Sequence, residues 1–307
     1  MREGNAIREV VVAGGGVVGW SAAAALRRRL PGLSVTIVPV PPPADALADR
    51  IASTLPSTIA FHADLGLSDA DTIVRAGSSF RLGTRFDGWA EGLPAYVHAY
   101  GEYGRPFGTA SFHLHWVRAA RRAAAAAFDA HAPAAAIARA GRFAPPQGDP
   151  GSPLAGFAYG LQLNLPRYLQ MMRAYALHLG VRERSVGIGN VQLRGEDGFI
   201  ESLRLDDGSA LAADLFVDCT GPAAALRGAL DRDFDSWAQW LPCDRVLLAE
   251  GPPPPAPSAL DDVAAMPAGW RWRAESPVRT MHGLVYASAA LGDDEAREAL
   301  REASGAA

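Results

Sequence analysis

Gly14, Gly16 and Gly19 fall at G-x-G-x-x-G spacing in "VVVAGGGVVGWSAAAAL". This pattern brings backbone N–H groups close to a phosphate. The first glycine permits a tight turn, the second lets the chain approach a diphosphate, and the third lets a helix pack on a strand. Val17 and Val18 lie between the second and third, at a predicted helix N-terminus, where free N–H groups favour an anion. A second string, "GWRWRAESP" (269–277), places Trp270 and Trp272 one residue apart between arginines. His113 and His115 flank Leu114; on a strand they would share a face and could hold a metal, but no third ligand stands nearby, so they read better as sheet residues. Glu196-Asp197 and Asp206-Asp207 resemble paired catalytic carboxylates. They sit in "GEDG" and "DDGS", where Asp and Gly serve the backbone of a turn. Cys219 precedes Thr220-Gly221 and reads as a small packed residue, not a nucleophile.

The glycines need a strand before them and a helix after them, and the chain supplies both. "EVVVA" (9–13) is a buried strand, "WSAAAALRRRL" a helix, and "SVTIVPV" (34–40) a second β-branched strand. Arg27–Arg29 end the helix where cations suit its dipole. A dinucleotide site usually has Asp or Glu at the end of the second strand, for the ribose; here Pro39-Val40 and further prolines follow. Further on, residues 41–58 read as a Pro- and Ala-rich loop leading to a helix near "STIAFHADLGL". Residues 78–89 and "SFHLHWV" (111–117) alternate like strands. "AARRAAAAAFDAHAPAAAIARAG" is predicted helical with an interruption at Pro133, and 166–181 is an amphipathic helix. Residues 186–221 read as a β-meander closing on a buried strand, Leu215–Asp218, that runs into "CTG". "PPPPAPS" (252–258) is an exposed loop.

A glycine-fingerprint βαβ unit, a later meander and a strand ending in "DCTG" are the order of an FAD/NAD(P)-binding, flavoprotein monooxygenase-like α/β fold. It combines a parallel sheet, a β-meander and an interleaved mixed substrate sheet. The division follows: 1–75 with 150–230 as the FAD-binding-like domain, 76–149 with 231–307 as the substrate-sheet region. The 307 residues, 49% hydrophobic, are long enough for one large or two modest cores. A net charge of −4 gives no global attraction to nucleic acid. Two cysteines form no disulfide framework and fit a reducing, cytoplasmic setting. Residues 10–26 have the apolar length of a signal-peptide core, but the central glycines and the arginines that follow argue for the fold. No other apolar run approaches the ~20 residues of a membrane span.

The chain resembles the flavin-dependent tryptophan halogenases from about residue 8 to residue 300. The resemblance is carried by "GGGVVGW" (14–20), "FRLGTRFDGW" (80–89), "GRFAPP" (141–146), "SPLAGFAYGLQLN" (152–164), "DLFVDCTG" (214–221), "WLPCDR" (240–245), "GWRWR" (269–273) and "GLVYAS" (283–288). It implies that reduced FAD, supplied by a separate flavin reductase, reacts with oxygen and chloride or bromide to give hypohalous acid. That acid reaches a lysine beside an electron-rich aromatic substrate such as an indole, and a glutamate assists deprotonation. The Trp pair keeps the flavin from oxygenating substrate directly.

Transferred residue by residue, the resemblance is incomplete. Gly14, Gly16, Val17, Val18 and Gly19 match the FAD fingerprint, and Ile188 is carried as a further cofactor contact. The ribose acid falls at Pro39. The Gly-Glu-Ala-Thr flavin loop falls at Ile51-Ala52-Ser53-Thr54, where only Thr54 matches. The lysine falls at Arg81, whose guanidinium stays protonated and is a poor nucleophile. Trp270 and Trp272 match, but the Ile-Pro after them is Ala274-Glu275, and "QHRTGNG" reads "PVRTMHG". Typical members continue well beyond Ala307, where the resemblance puts the catalytic glutamate and the flavin cover. FAD binding is therefore expected to be doubtful and halogenation impaired. The alternatives are a non-catalytic halogenase-like scaffold, acting as a homo-oligomer or beside a companion halogenase polypeptide, and a flavin-dependent monooxygenase that does not halogenate.

Overall fold

The computed structural model describes residues 6–122 and 125–304. In chain order the elements are β1 (Glu9–Ala13), α1 (Val17–Arg29), β2 (Ser34–Val38), α2 (Ser57–Leu65), β3 (Ser79–Arg81), β4 (Gly83–Asp87), β5 (Tyr96–Ala99), α3 (Phe112–Ala120), α4 (Pro133–Arg139), β6 (Gly160–Gln162) and α5 (Leu165–His178). There follow β7 (Arg182–Glu183), β8 (Ile188–Leu193), β9 (Ile200–Leu205), β10 (Ala210–Ala212), β11 (Leu215–Asp218), α6 (Arg227–Leu230), β12 (Arg245–Gly251), β13 (Leu260–Met266), β14 (Gly269–Glu275), β15 (Thr280–Tyr286) and α7 (Asp293–Ser304). They form two compact units. The first takes the described residues of Met1–Ala52, His62–Gly77 and Asn164–Asp235; the second takes those of Ser53–Phe61, Ser78–Leu163 and Ser236–Ala307. Residues 150–163 belong to the second unit, because β6 pairs antiparallel with β3.

The first unit is built on a parallel sheet ordered β11-β1-β2-β7. Val10, Val11 and Val12 are all buried, as a central parallel strand covered on both faces requires. Helix α1 lies against α5 and buries Trp20, Ala23 and Ala24. The antiparallel meander β10-β9-β8 sends Leu203 and Leu205 into a core shared with Val11, Ala13, Val38 and Leu226.

The second unit carries a six-stranded sheet, β12-β15-β14-β13-β4-β5, antiparallel except between β13 and β4. Helix α7 closes a core of Leu284, Tyr286, Ala296 and Leu300. Strand β5 stands at the edge of this sheet. Its Val97 N–H donates to Asp129 Oδ2 at 2.7 Å and its Ala99 N–H donates to the Tyr103 hydroxyl at 2.6 Å.

Two expectations from the sequence change here. "SFHLHWV" is not a strand: 112–120 is helical, with Phe112 and Trp116 turned to Phe128 at ring distances of 6.2 and 5.0 Å. Seven alternating residues satisfy a strand pattern and a helix pattern alike, and packing on Phe128 decides between them. The Ala-rich segment, expected to be helical up to an interruption at Pro133, holds less helix before that proline: α3 ends at Ala120, and residues 123 and 124 lie outside the described ones. A 3-10 turn covers Phe128–His131, and Pro133 opens α4 at its first turn, where its missing N–H costs nothing. Among the described residues, no helix is long and apolar enough to cross a membrane.

Candidate functional site

In the first unit the three glycines do the packing work expected of them. Gly14 has φ of 132°, and a side chain there would strike the Cys219 carbonyl at the end of β11. A Cβ at Gly19 would strike the Gly14 carbonyl oxygen. Three N–H donors of the turn already have partners. Gly14 donates to Val38 O at 2.9 Å, Gly15 to Val40 O at 2.7 Å and Val17 to Asp49 Oδ1 at 2.6 Å. Gly16, the N-cap residue of α1, provides no side-chain cap; Asp49 supplies the acceptor from a 3-10 turn at Leu47–Asp49. Val18 is exposed on the first turn of α1. Ile188 opens β8 and packs beside the Leu203 and Leu205 core; it belongs to the meander.

At the end of β11 a second carboxylate is held firmly. Asp218 accepts from Thr220 N and Oγ1 at 3.0 and 2.6 Å, and from Leu226 N and Arg227 N at 2.8 and 2.9 Å. Partial burial pushes its carboxyl upward, and these hydrogen bonds more than reverse that, leaving it below the ordinary value. Burial, with Asp218 alongside, pushes the Cys219 thiol up, so it stays protonated and unreactive at neutral pH.

In the second unit Arg81 is buried, at 7% exposure. Every arm of its guanidinium is engaged. Nε donates to Asp261 Oδ2 at 2.7 Å, Nη1 to the Thr54 carbonyl at 3.0 Å and Nη2 to Thr84 Oγ1 at 2.8 Å. The group also lies over the Tyr100 ring at 5.2 Å. Asp261 accepts a further bond from the Gln162 amide, which in turn accepts from Ser53 Oγ. Burial pushes the Asp261 carboxyl upward against the pull of Arg81. Thr54 joins the same network: its N–H donates to Leu161 O at 2.9 Å, and its hydroxyl accepts from Leu161 N at 2.8 Å. The arrangement is a charge pair with its hydrogen bonds satisfied, and it has no free nucleophile.

Trp270 and Trp272 project from one face of β14, both half-buried. Trp272 lies flat over its cross-strand partner Gly283, where any side chain would collide with the indole. Trp270 meets Trp89 at 6.1 Å; Trp89 meets Phe86 edge-on at 5.7 Å, and Phe86 stacks on Tyr96 at 5.5 Å. Beside this ladder an open cavity of about 730 Å³ is lined by Phe86, Leu93, Tyr96, Tyr103, Trp116 and Phe128. Its walls suit a planar apolar ring. His113 and His115 stand two positions apart on α3, roughly 200° round its axis, so they do not converge on a metal. Among the described residues no cluster of His, Cys, Asp and Glu could hold a metal ion.

A family model described as tryptophan halogenase matches residues 9–307. The chain belongs to the tryptophan halogenase family. It is 26% identical over 311 residues to the tryptophan 7-halogenase RebH of Lentzea aerocolonigenes, covering 94% of this chain and 57% of that protein. The solved structure of BrvH, a flavin-dependent halogenase from Brevundimonas sp. BAL3, superposes with a TM-score of 0.88 at 36% identity, over 97% of this chain and 60% of that one. A flavin-dependent halogenase from Xanthomonas campestris gives 0.87 at 31% identity, with coverages of 97% and 59%. The chain thus spans about three fifths of the length of the relatives it matches.

Membership in a flavin-dependent family implies FAD, and the fingerprint of the first unit is the place that would take its diphosphate. In this arrangement an acidic side chain of the chain itself already stands at that place. The space before Gly16 is filled by the Asp49 carboxylate, which a Cβ at Gly16 would overlap. Sequence reading missed Asp49 and Asp261. Neither lies in a motif that announces it, although Asp261 is followed by Asp262, and they reach their partners across 32 and 180 residues of chain. Only the buried arginine could have signalled that an acid had to be found for it.

Proposed function

We propose that this protein is a halogenase-family scaffold that does not itself carry the halogen-transfer step, and that it acts beside a partner: a companion halogenase polypeptide or a second copy of itself. The observation that carries the reading is the Arg81 network. The family's reaction, FAD-linked halogenation of an indole or other aromatic small molecule with flavin reduced by a separate reductase, asks an amine at this position to hold the halogen. The guanidinium remains charged, is planar, and is tied to Asp261, Thr54 and Thr84. A side chain so engaged can neither swing toward a substrate nor attack hypohalous acid. Support for association comes from Trp237, Trp240 and Leu241, three large apolar residues within five positions, exposed at 67%, 75% and 64%. Two free cysteines agree with a reducing, cytoplasmic setting.

The test is a halogenation assay with flavin reductase, FAD, chloride or bromide and a panel of indoles and phenols. Neither the native protein nor Arg81→Lys is expected to give halogenated product, because the Asp261 carboxylate would hold the introduced ammonium as it holds the guanidinium. Enzyme-dependent product from the native chain refutes the reading. Light scattering checks association: a stable monomer that takes up no hydrophobic dye would remove the partner from it.

A further inference from the structure

We infer that Asp49 is the resident anion of the glycine fingerprint and that Pro39–Arg50 forms an internal plug, which holds the cofactor crevice closed against FAD. This concerns the first unit alone and stands whether or not Arg81 transfers halogen.

In open α/β sheets a dinucleotide lies across the carboxyl ends of the strands, its diphosphate on the first turn of the fingerprint helix. Here the chain itself lies there. Leaving β2, Pro39 and Val40 cross Gly15, which donates to Val40 O; a Cβ at Gly15 would meet the Pro39 carbonyl carbon at 2.9 Å. The segment continues to the far side of the crevice, where Ala46 is 5% exposed and lies beside Gly221, just past β11. It then returns through the 3-10 turn, in which Asp49 N and Arg50 N donate to Ala46 O and Leu47 O at 3.0 Å. That turn aims the Asp49 carboxylate at Val17 N. Pro39, Pro41, Pro42 and Pro43 restrict the segment before folding, which lowers the entropy lost in closing it.

The carboxylate and a diphosphate compete for one donor and one pole of one helix. Both are anions, so they cannot share it. The carboxylate is tethered and therefore present at high effective concentration. It stabilises α1 as a capping acid does, which lets the fingerprint fold with no cofactor in it.

The experiment titrates FAD into the full chain and follows flavin fluorescence and heat. Native protein is compared with Asp49→Ala and Asp49→Asn, and with Asp45→Asn as a control in the same segment but exposed. Binding should tighten by at least ~10-fold in Asp49→Ala, the scale of one charge-assisted hydrogen bond. It should tighten less in Asp49→Asn and remain unchanged in Asp45→Asn. Equal affinities for native protein and Asp49→Ala would overturn the inference. So would a folded Asp49→Ala protein that still does not bind FAD, because the plug would then not be what excludes it. A measurement on the native chain guards against misfolded variants: hydrogen exchange at Val17 and at 47–51 should be slow and should not change on adding micromolar FAD. Faster exchange at 47–51 on adding flavin would mean that the plug yields readily, and would also overturn it.

Discussion

Replacing Arg81 by Met removes a cation from a carboxylate that has almost no water to turn to. Both side chains of the pair are 9% exposed, and their closest approach is 2.7 Å. Met keeps the apolar stem and leaves Asp261 with the neutral Gln162 amide and Ser53 hydroxyl in place of a cation. Thr54 O and Thr84 Oγ1 each lose a donor. Breaking one side of a buried pair costs about 3–5 kcal/mol, roughly a fifth or more of the 5–15 kcal/mol that stabilises an ordinary domain. Asp261→Asn strands the guanidinium instead and should cost a similar amount. The double variant should cost less than the sum by at least ~2 kcal/mol, because the second change removes the charge that the first one stranded. Urea unfolding of the four proteins, followed by far-UV circular dichroism, measures the cycle. Arg81→Met costing under about 1 kcal/mol would refute the reasoning: the pair would then be loose, and the guanidinium free for other work.

Three further outcomes are expected. His62 is 1% exposed and bonded to the Tyr168 hydroxyl at 2.8 Å, and burial depresses its pKa below the ordinary 6.5. The unfolded chain therefore takes the proton first; stability is full above about pH 6.5 and falls as the pH drops through 6.5 toward the folded value, and His62→Gln should flatten this dependence in thermal melts from pH 8 to about pH 5. Asp218 has the opposite chemistry and the same acid limit: its depressed carboxyl contributes stability above its ordinary value near 3.8, lost as pH falls through the folded value, and Asp218→Asn should cost about 1.5–3 kcal/mol at pH 7 by urea unfolding. Gly19→Ala should destabilise the first unit by about 1–3 kcal/mol or more, since its Cβ meets the Gly14 carbonyl oxygen; a melting temperature equal to that of the native chain would contradict the close helix–strand packing.

What the sequence disclosed follows a physical pattern. The β1–α1–β2 unit and the "DCTG" strand were readable because β-branched runs, a glycine spacing and an Ala-rich helix each restrict local conformation strongly. Helix α3 was misread because seven residues are too few to separate a period of two from one of 3.6. Arg81 was recognised as a departure from lysine, but its meaning lay in Asp261, 180 residues away, which no local pattern announces. The same holds for Asp49: Pro39 marked the acid that the strand lacked, while the acid that fills the space stood beyond the prolines. Local chemistry predicted the scaffold, and long-range pairing decided what the scaffold holds.

The edge strand β5 bears on how this protein behaves in a crowded solution. An open sheet edge recruits strands from other molecules through its outward N–H groups. On β5 those of Val97 and Ala99 are already bound to Asp129 and to the Tyr103 hydroxyl, and Asp129 is itself anchored by Arg139 at 2.5 Å. A stray strand would have to displace a buried carboxylate and a phenol to dock there. Intermolecular β-pairing is thereby discouraged at this margin without a proline or a bulge. Tyr103→Phe together with Asp129→Ala would open a ready template for fibrous self-assembly.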